Sequence, residues 1–281
     1  MNEWFEHGSR VDSIPVDDRG LQYGDGLFET IAIRDARPRF WSAHVDRLTS
    51  GAERLGLTLP VANILQRDLE RALALTTINT GFCTAKIVIT AGVGPRGYRR
   101  EAGRPTRTLV GVFDGAELPR DHYAEGVETV LCETPMSDQP LLAGLKTLNR
   151  LDQVLASREW ESGDAFDGLM CDSAERLVCG TRTNLFLIRD NQIMTPALDR
   201  CGVAGIMRRQ ILDGLSGNQI ECAVTDIPAA ALDDADEVFV CNSQIGVLPV
   251  RRCGTRSWPV GEGTQSIMAM MAYNDVPECT P

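Results

Sequence analysis

Lys146 is the residue whose type and position most strongly suggest chemistry. It lies in LLAGLKTLNRLDQVLA, residues 141–156, directly after a largely apolar run. A lysine is rarely buried, so it either extends its ammonium to solvent at a helix start or supplies an amine for covalent chemistry. We expect a helix through this stretch to about residue 160. Other segments must decide which role Lys146 has.

Two segments offer groups that could hold a phosphate. AGIMRRQI, residues 204–211, places Gly205 before a helical pattern, so the first backbone N–H groups could bind an anion. CNSQIGVLPV, residues 241–250, ends a strand with Asn242 and Ser243, whose side chains can donate hydrogen bonds. Each segment alone is an ordinary helix start or strand end.

Arg47 is a third candidate, on the same helix face as His44. Alone, this pair predicts a solvated helix edge. A lysine and a phosphate cradle, in a chain without a nucleotide motif, together suggest pyridoxal phosphate. Its aldehyde needs an amine and its phosphate needs an anchor.

The loop GVGPRG, residues 92–97, matches the dinucleotide pattern G-x-G-x-x-G after a predicted strand. That site also needs a helix opening on the third glycine, and YRREAGRPTR has no apolar helical stripe. We therefore expect no Rossmann site. Arg96, Arg99 and Arg100 favour an anion-attracting loop, with Arg96 on a substrate carboxylate; a solvated basic loop is the alternative.

The elements that must position these groups alternate between strand and helix. Strands are predicted at 27–33, 84–90 and 108–113, with a helix capped by Ser42 and ended by Gly56 and another over 61–75. We expect an α/β (α+β) fold of two domains. These are a small N-terminal α/β domain, 1–114, a connection, 115–125, and a larger domain, 126–281, with a mixed sheet or barrel.

Composition excludes several classes of protein. The chain has 281 residues and a net charge of −11, and no Lys/Arg run suggests nucleic acid or an anionic membrane as partner. The three histidines are scattered along the chain, and no two of the nine cysteines form a C-x-x-C pair. We therefore expect neither a metal site nor a disulfide framework. Without a signal peptide or an apolar stretch of about 20 residues, we expect a cytoplasmic protein.

Six motifs in order resemble the fold-type IV pyridoxal-phosphate enzymes, which include branched-chain aminotransferases, D-amino acid transaminases and aminodeoxychorismate lyases. The motifs are DRGLQYGDGLFET, HVDRL, LLAGLKTLNRLDQVLA, NLFLI, GVAGIMRRQ and CNSQIGVLPV. LAGLKTLNRLDQVL and GPRGY are most similar to the lyase branch. The resemblance implies a homodimer that binds pyridoxal 5'-phosphate and releases pyruvate from 4-amino-4-deoxychorismate, leaving 4-aminobenzoate.

The resemblance also implies roles for particular residues. Lys146 matches the lysine that forms the Schiff base and then acts as general base and acid, and Arg47 matches the arginine on the cofactor phosphate. Arg96 and Asn149 match substrate-binding positions. The remaining residues of the phosphate cradle are Ile206, Met207, Asn242 and Ser243.

One position departs from the family pattern. A glutamate that pairs with the pyridine nitrogen stands five residues before the Asn of NLF in this family, and Cys179 stands there in this chain. Glu175 is four residues too early to replace it. A thiol is only a weak donor, so Cys179 predicts a lyase with less need for a protonated ring.

Two alternatives remain open from the sequence. A D-amino acid or branched-chain transaminase of the same fold would share Lys146 and Arg47. A cofactor-free binding or scaffold protein would use Lys146 only as a solvent-reaching lysine.

Overall fold

The computed structural model describes residues 2–101, 103–115, 117–161 and 163–280. The chain forms two compact units. The first comprises the described residues up to Glu117 together with Leu145–Asn149; the second comprises Leu118–Gly144 and the described residues from Arg150 onward. The domain expected over 126–281 therefore differs in two respects: it begins earlier, at Leu118, and Leu145–Asn149 belongs to the first unit.

The first unit is built on one six-stranded sheet. Its elements are β1 (Asn2–Glu6), β2 (Ser9–Val11), α1 (Arg19–Tyr23), β3 (Gly26–Arg34), β4 (Arg37–Pro38), α2 (Trp41–Leu55), α3 (Ala62–Leu75), β5 (Phe82–Thr90) and β6 (Arg107–Asp114). The strand order is β2-β1-β6-β5-β3-β4, and neighbouring strands are antiparallel. The three predicted strands of this unit and both predicted helices are confirmed; β1 and β2 were not foreseen.

Two helices cover one face of this sheet. The α2 helix packs on β3 and buries Ala43, Leu48 and Ala52, while α3 packs on β1 and β6. The α2 helix ends at Gly56, whose φ of 63° a glycine adopts without strain. Ser42 does not cap it, because the helix already begins at Trp41, after Phe40 in a left-handed conformation.

The segment that carries Lys146 pairs with β3. The Phe28 N–H donates to the Lys146 carbonyl at 3.0 Å, and Thr147 lies opposite Leu27 in an antiparallel bridge. Because the backbone is used for this pairing, it does not form a helix here. The helix that we expected through this stretch begins only afterwards, as α5 (Leu151–Ala156).

The second unit is built on a nine-stranded mixed sheet that curls into a half-barrel. Besides α5, its elements are α4 (Asp121–Ala124), β7 (Val127–Leu131), β8 (Asp167–Cys171), β9 (Leu177–Gly180), β10 (Asn184–Arg189), β11 (Gln192–Pro196), α6 (Ile206–Gly217), β12 (Cys222–Thr225), β13 (Glu237–Asn242), β14 (Gly246–Cys253), β15 (Arg256–Ser257) and α7 (Glu262–Tyr273). The order is β12-β11-β10-β13-β14-β7-β8-β9, with β15 beside β14. The expected mixed sheet is confirmed.

Two further segments of this unit are a short turn and the C-terminal residues. Pro228 precedes a short 3-10 turn, Ala229–Asp233. The C-terminal residues pack on the unit, since Met271, Val276 and Cys279 are fully buried. Within the described residues, no helix is long and apolar enough to cross a membrane.

Candidate active site

Lys146 is half-buried beside an aromatic ring of the first unit. Its Nζ lies 4.3 Å from the centroid of the Phe28 ring, and Lys86 Nζ lies 4.8 Å from the same centroid. The neighbours Leu145 and Thr147 are buried, so their packing fixes the backbone on both sides of the lysine. The amine is therefore placed by rigid backbone pairing and packing.

Arg47 is held by a buried carboxylate, Glu29, which was not predicted as part of the site. Arg47 Nε donates to Glu29 Oε1 at 2.8 Å, and its Nη2 donates to Oε2 at 2.5 Å. Glu29 is 1% exposed. Burial alone would raise the pKa of the Glu29 carboxyl, but the Arg47 charge and bonds from His44 and Arg47 lower it to about 2.

His44 completes this cluster as a neutral side chain. Burial lowers the pKa of His44, so we assign its single proton to Nδ1, which donates to Glu29 Oε2 at 2.6 Å. Among the described residues, the buried His44 Nε2 has no hydrogen-bond partner. Arg47 is thus the charged member of the pair on α2. The pair is not a solvated helix edge.

A sequence signal for Glu29 exists. It alternates with Leu27, Ile31 and Ile33, all of which point to the buried face of β3. A carboxylate on such a face must find a charged or hydrogen-bonding partner, because burying it alone is costly. That requirement predicts a basic partner for Glu29, and α2 carries basic residues.

The predicted arginine loop divides into structural and exposed members. Arg100 Nε donates to Asp25 Oδ2 at 2.9 Å and is committed to the fold. Arg96 and Arg99 are exposed. No helix forms in the described residues between Gly97 and β6, as expected from the absence of a helical stripe.

Asn149 already has a structural contact within the first unit. Its Nδ2 donates to the Gly24 carbonyl at 3.1 Å. A Cβ on Gly24, whose φ is 65°, would lie 2.5 Å from Asn149 Oδ1. Asn149 therefore packs closely on the DRGLQYGDG motif, and it is also exposed enough to contact a ligand.

The second unit contains the predicted helix N-terminus. The α6 helix begins at Ile206, and its first backbone N–H groups have no acceptor within the helix. The side chains of Ile206 and Met207 are apolar and buried, so the donors that these residues can offer are their backbone amides. A Cβ on Gly205 would lie 2.0 Å from Asn184 Oδ1, which explains why a glycine precedes the helix.

Asn242 shapes the turn that carries Ser243. Its Oδ1 accepts from the N–H groups of Gln244 at 2.8 Å and Ile245 at 3.1 Å. Its Nδ2 donates to the Arg182 carbonyl at 3.2 Å. The side chain predicted to bind phosphate is thus engaged in building the β13–β14 turn.

Cys179 lies in a buried sulfur-rich cluster of the second unit. Its neighbours include Met136, Met170 and Cys201, and its Sγ donates to Met136 Sδ at 3.5 Å. Burial raises the pKa of the Cys179 thiol to about 12, so the thiol is neutral at physiological pH. Glu175 is exposed in the turn between β8 and β9 and does not replace the missing acid.

The described residues contain no group of three or more His, Cys, Asp or Glu side chains that could hold a metal ion. All nine cysteines are free. The candidate groups described above are an amine, a fixed guanidinium, backbone amides at a helix start and a neutral thiol. The first two lie in the first unit and the last two in the second.

Comparison with known proteins gives consistent matches. The profile of the family described as amino-transferase class IV matches residues 26–253. The chain is 35% identical over 240 residues to the aminodeoxychorismate lyase of Vibrio harveyi, covering 84% of this chain and 86% of that protein. It is 29% identical over 244 residues to a D-alanine aminotransferase of Listeria monocytogenes, covering 85% and 81%.

A solved structure matches over almost the full length. The crystal structure of 4-amino-4-deoxychorismate lyase from Pseudomonas aeruginosa superposes with a TM-score of 0.91 at 41% sequence identity. The match covers 97% of this chain and 99% of that chain. The arrangement of elements expected from the motifs is therefore confirmed.

Proposed function

Because the chain belongs to the amino-transferase class IV family, we propose that it is a pyridoxal-phosphate-dependent lyase acting on 4-amino-4-deoxychorismate. The products are 4-aminobenzoate and pyruvate, on the route to folate. The observation that carries this proposal is the similarity, over most of the chain, to two proteins named as this lyase.

The residues present fit such a cofactor. Arg47, fixed by Glu29, offers a guanidinium that suits a phosphate. The amides of Ile206 and Met207 behind Gly205 suit an anion, with Ser243 and Asn242 as further members of the cradle. These assignments rest on donor chemistry and family motifs together.

When bound, pyridoxal phosphate supplies an aldehyde that condenses with amines and a ring that withdraws electrons. Lys146 Nζ is the amine that would hold the cofactor's aldehyde until the substrate's amine takes its place. The freed Lys146 amine then takes the proton that the substrate ring releases as it becomes aromatic.

Lys146 also acts on the leaving group. The bond between the ring carbon and the enolpyruvyl oxygen breaks, and the electron pair leaves with that oxygen. The leaving group is the enolate of pyruvate, and a proton returned by Lys146 Nζ to its methylene carbon gives pyruvate. The two products contain all the atoms of the substrate, so the reaction needs no water and no redox partner.

A direct assay separates the lyase from its rival. The similarity to a D-alanine aminotransferase supports transamination as the second candidate. Purified protein with pyridoxal phosphate is given aminodeoxychorismate, or D-alanine with 2-oxoglutarate. We expect pyruvate and 4-aminobenzoate in equal amounts from the first mixture. Transamination of D-alanine also yields pyruvate, so 4-aminobenzoate is the product that reports the lyase reaction. A higher kcat/KM for amino transfer than for 4-aminobenzoate formation would overturn the lyase assignment.

We propose a homodimer in the cytoplasm as the working form. The short helix α5 exposes Leu151, Val154 and Leu155 at helical spacing, an apolar stripe suited to a protein contact. Nine free thiols suit a reducing compartment. Sedimentation at micromolar concentration and cell fractionation test the two statements; a monomer or a membrane-associated pool would contradict them.

We propose that Cys179 faces the cofactor's ring nitrogen in place of the family glutamate. A neutral thiol with its pKa near 12 is a poor proton donor, so the ring withdraws electrons less strongly. Lyase chemistry tolerates this because aromatisation supplies part of the driving force. Transamination, which places more charge in the ring, benefits from an acid at this position.

The variant Cys179→Glu tests this assignment. We expect 4-aminobenzoate and pyruvate release from aminodeoxychorismate to stay within about tenfold of wild type, a smaller change than the roughly hundredfold or more that loss of a proton-transfer group causes. D-alanine transamination should be unchanged or faster. Cys179→Gln, of similar size without charge, controls for the added bulk in the sulfur cluster. Loss of pyruvate release in a folded Cys179→Glu protein, with the Gln variant active, would refute the assignment.

A further inference from the structure

The loop over residues 92–100, here called the cationic loop, connects β5 to the irregular chain before β6. Arg96 and Arg99 are exposed on it, and Tyr98 is 87% exposed. A loop of this composition is ordinarily mobile, since exposed side chains fix its backbone poorly. This loop is instead hydrogen-bonded to a buried arginine of α1.

Arg19 forms the hydrogen bonds that hold the cationic loop. It is 4% exposed, and each of its three guanidinium nitrogens donates a hydrogen bond. Nη1 donates to the Gly97 carbonyl and Nη2 to the Tyr98 carbonyl, both at 2.8 Å, while Nε pairs with Asp25 Oδ2 at 2.8 Å. Two successive carbonyls of the loop are thereby fixed by one rigid group.

Further contacts reinforce the same attachment. The Arg19 N–H donates to the Gly92 carbonyl at 2.9 Å, at the start of the cationic loop. The Tyr23 hydroxyl accepts from the Gly97 N–H at 3.2 Å, and the Tyr23 ring meets the Tyr98 ring edge-on at 5.5 Å. Arg19 also stacks on Tyr23, with Cζ 4.8 Å from the ring centroid.

The loop backbone lies directly on the Arg19 stem. A Cβ on Gly94 would lie 2.9 Å from Arg19 Cδ, so the glycine allows this approach. Asp25 compensates the buried charge of Arg19 and also binds Arg100, which ends the loop. The loop is therefore held at its start, middle and end, and Arg96 stands between these attachments.

We propose that Arg19 is a positioning residue for substrate, which holds the cationic loop so that Arg96 is presented to a substrate carboxylate. This rests on the proposed function, in which the substrate carries two carboxylates. Arg19 is too buried to touch the substrate itself. Its fork of donors is required, because a lysine offers a single point charge and cannot bind two carbonyls and a carboxylate in one plane.

The test measures recognition without chemistry. The probe is chorismate, which has both carboxylates and a hydroxyl in place of the substrate's amine, so it cannot condense with the cofactor. Its binding to the holoenzyme is measured by calorimetry for wild type, Arg19→Met, Arg96→Met, the double variant and Arg99→Met. The last removes an exposed arginine of the same loop and is the matched control.

We expect Arg96→Met and Arg19→Met each to weaken chorismate binding about tenfold or more, the usual effect of losing a charged hydrogen bond. Arg99→Met should change it less than about fivefold. The double variant should bind no more weakly than Arg96→Met, because Arg19 acts through Arg96. In turnover, KM should rise in Arg19→Met while kcat and the cofactor's absorption stay unchanged.

The outcomes separate the two levels of inference. If Arg96→Met weakens binding and Arg19→Met does not, or if their effects add, the positioning role is wrong and the Arg96 assignment stands. If Arg96→Met has no effect, both are wrong. If Arg19→Met does not fold, Tyr23→Phe is used instead. It removes the hydrogen bond between the Tyr23 hydroxyl and the Gly97 N–H without burying a new group. It should give a smaller loss in the same direction, and unchanged binding would overturn the proposal.

Discussion

Replacement of Lys146 by alanine is expected to abolish pyruvate release, lowering kcat by more than about a thousandfold. The variant loses both the amine that holds the cofactor's aldehyde and the group that moves the proton, and each role alone is worth orders of magnitude. Holoenzyme absorption at roughly 410–430 nm, bleached by borohydride in the wild type, should disappear in Lys146→Ala. Circular dichroism verifies that the variant is folded.

Lys86 provides the matched control for this experiment. Its ammonium also lies over the Phe28 ring, 4.8 Å from the centroid, but its backbone belongs to the central strand β5. Lys86→Ala should keep its absorption and most of its activity. Lys146→Ala that still carries a borohydride-sensitive chromophore would show that another amine binds the cofactor. A colourless wild-type protein would favour a cofactor-free binding protein.

Glu29→Gln is expected to cause the second-largest effect, a loss of cofactor retention. An amide cannot compensate the Arg47 charge, and breaking a buried ion pair typically costs about 3–5 kcal/mol. Arg47 then no longer has its fixed orientation. We expect the affinity of the apoenzyme for pyridoxal phosphate to fall at least about tenfold, while affinity for pyridoxal, which lacks the phosphate, is unchanged.

Glu3 is the control for this variant. It is another buried carboxylate of the first unit, 5% exposed, and it accepts hydrogen bonds from Thr76 and Thr77. Glu3→Gln should lower the free energy of unfolding without changing the preference for pyridoxal phosphate over pyridoxal. The role of Glu29 is refuted if both variants are destabilised and both keep that preference.

The pH dependence of unfolding gives an independent measurement of Glu29. Its pKa in the fold, about 2, lies below the ordinary value of 4.5. A depressed acid stabilises the fold above its unfolded pKa and loses that contribution as pH falls towards the folded pKa. Between pH 4.5 and about 2, the free energy of unfolding should therefore fall more steeply in wild type than in Glu29→Gln.

Local patterns explain what could be predicted. Strand β3 was found from its β-branched and aromatic residues, and α6 from the glycine before its apolar stripe. Both depend on residues close together in the chain. The prediction of a helix around Lys146 was wrong. The apolar spacing there suits a helix, but the backbone of Leu145–Asn149 forms hydrogen bonds with β3.

By itself, the sequence determined that Lys146 was out of place among apolar residues, that a helix start and a late strand offered phosphate donors, and which family the motifs resemble. Only the tertiary structure decided that Glu29 holds Arg47 and that Arg19 holds the cationic loop. The reason is physical. Composition and periodicity depend on near neighbours, whereas the partner of a buried charge depends on which distant segments the fold brings within hydrogen-bonding distance.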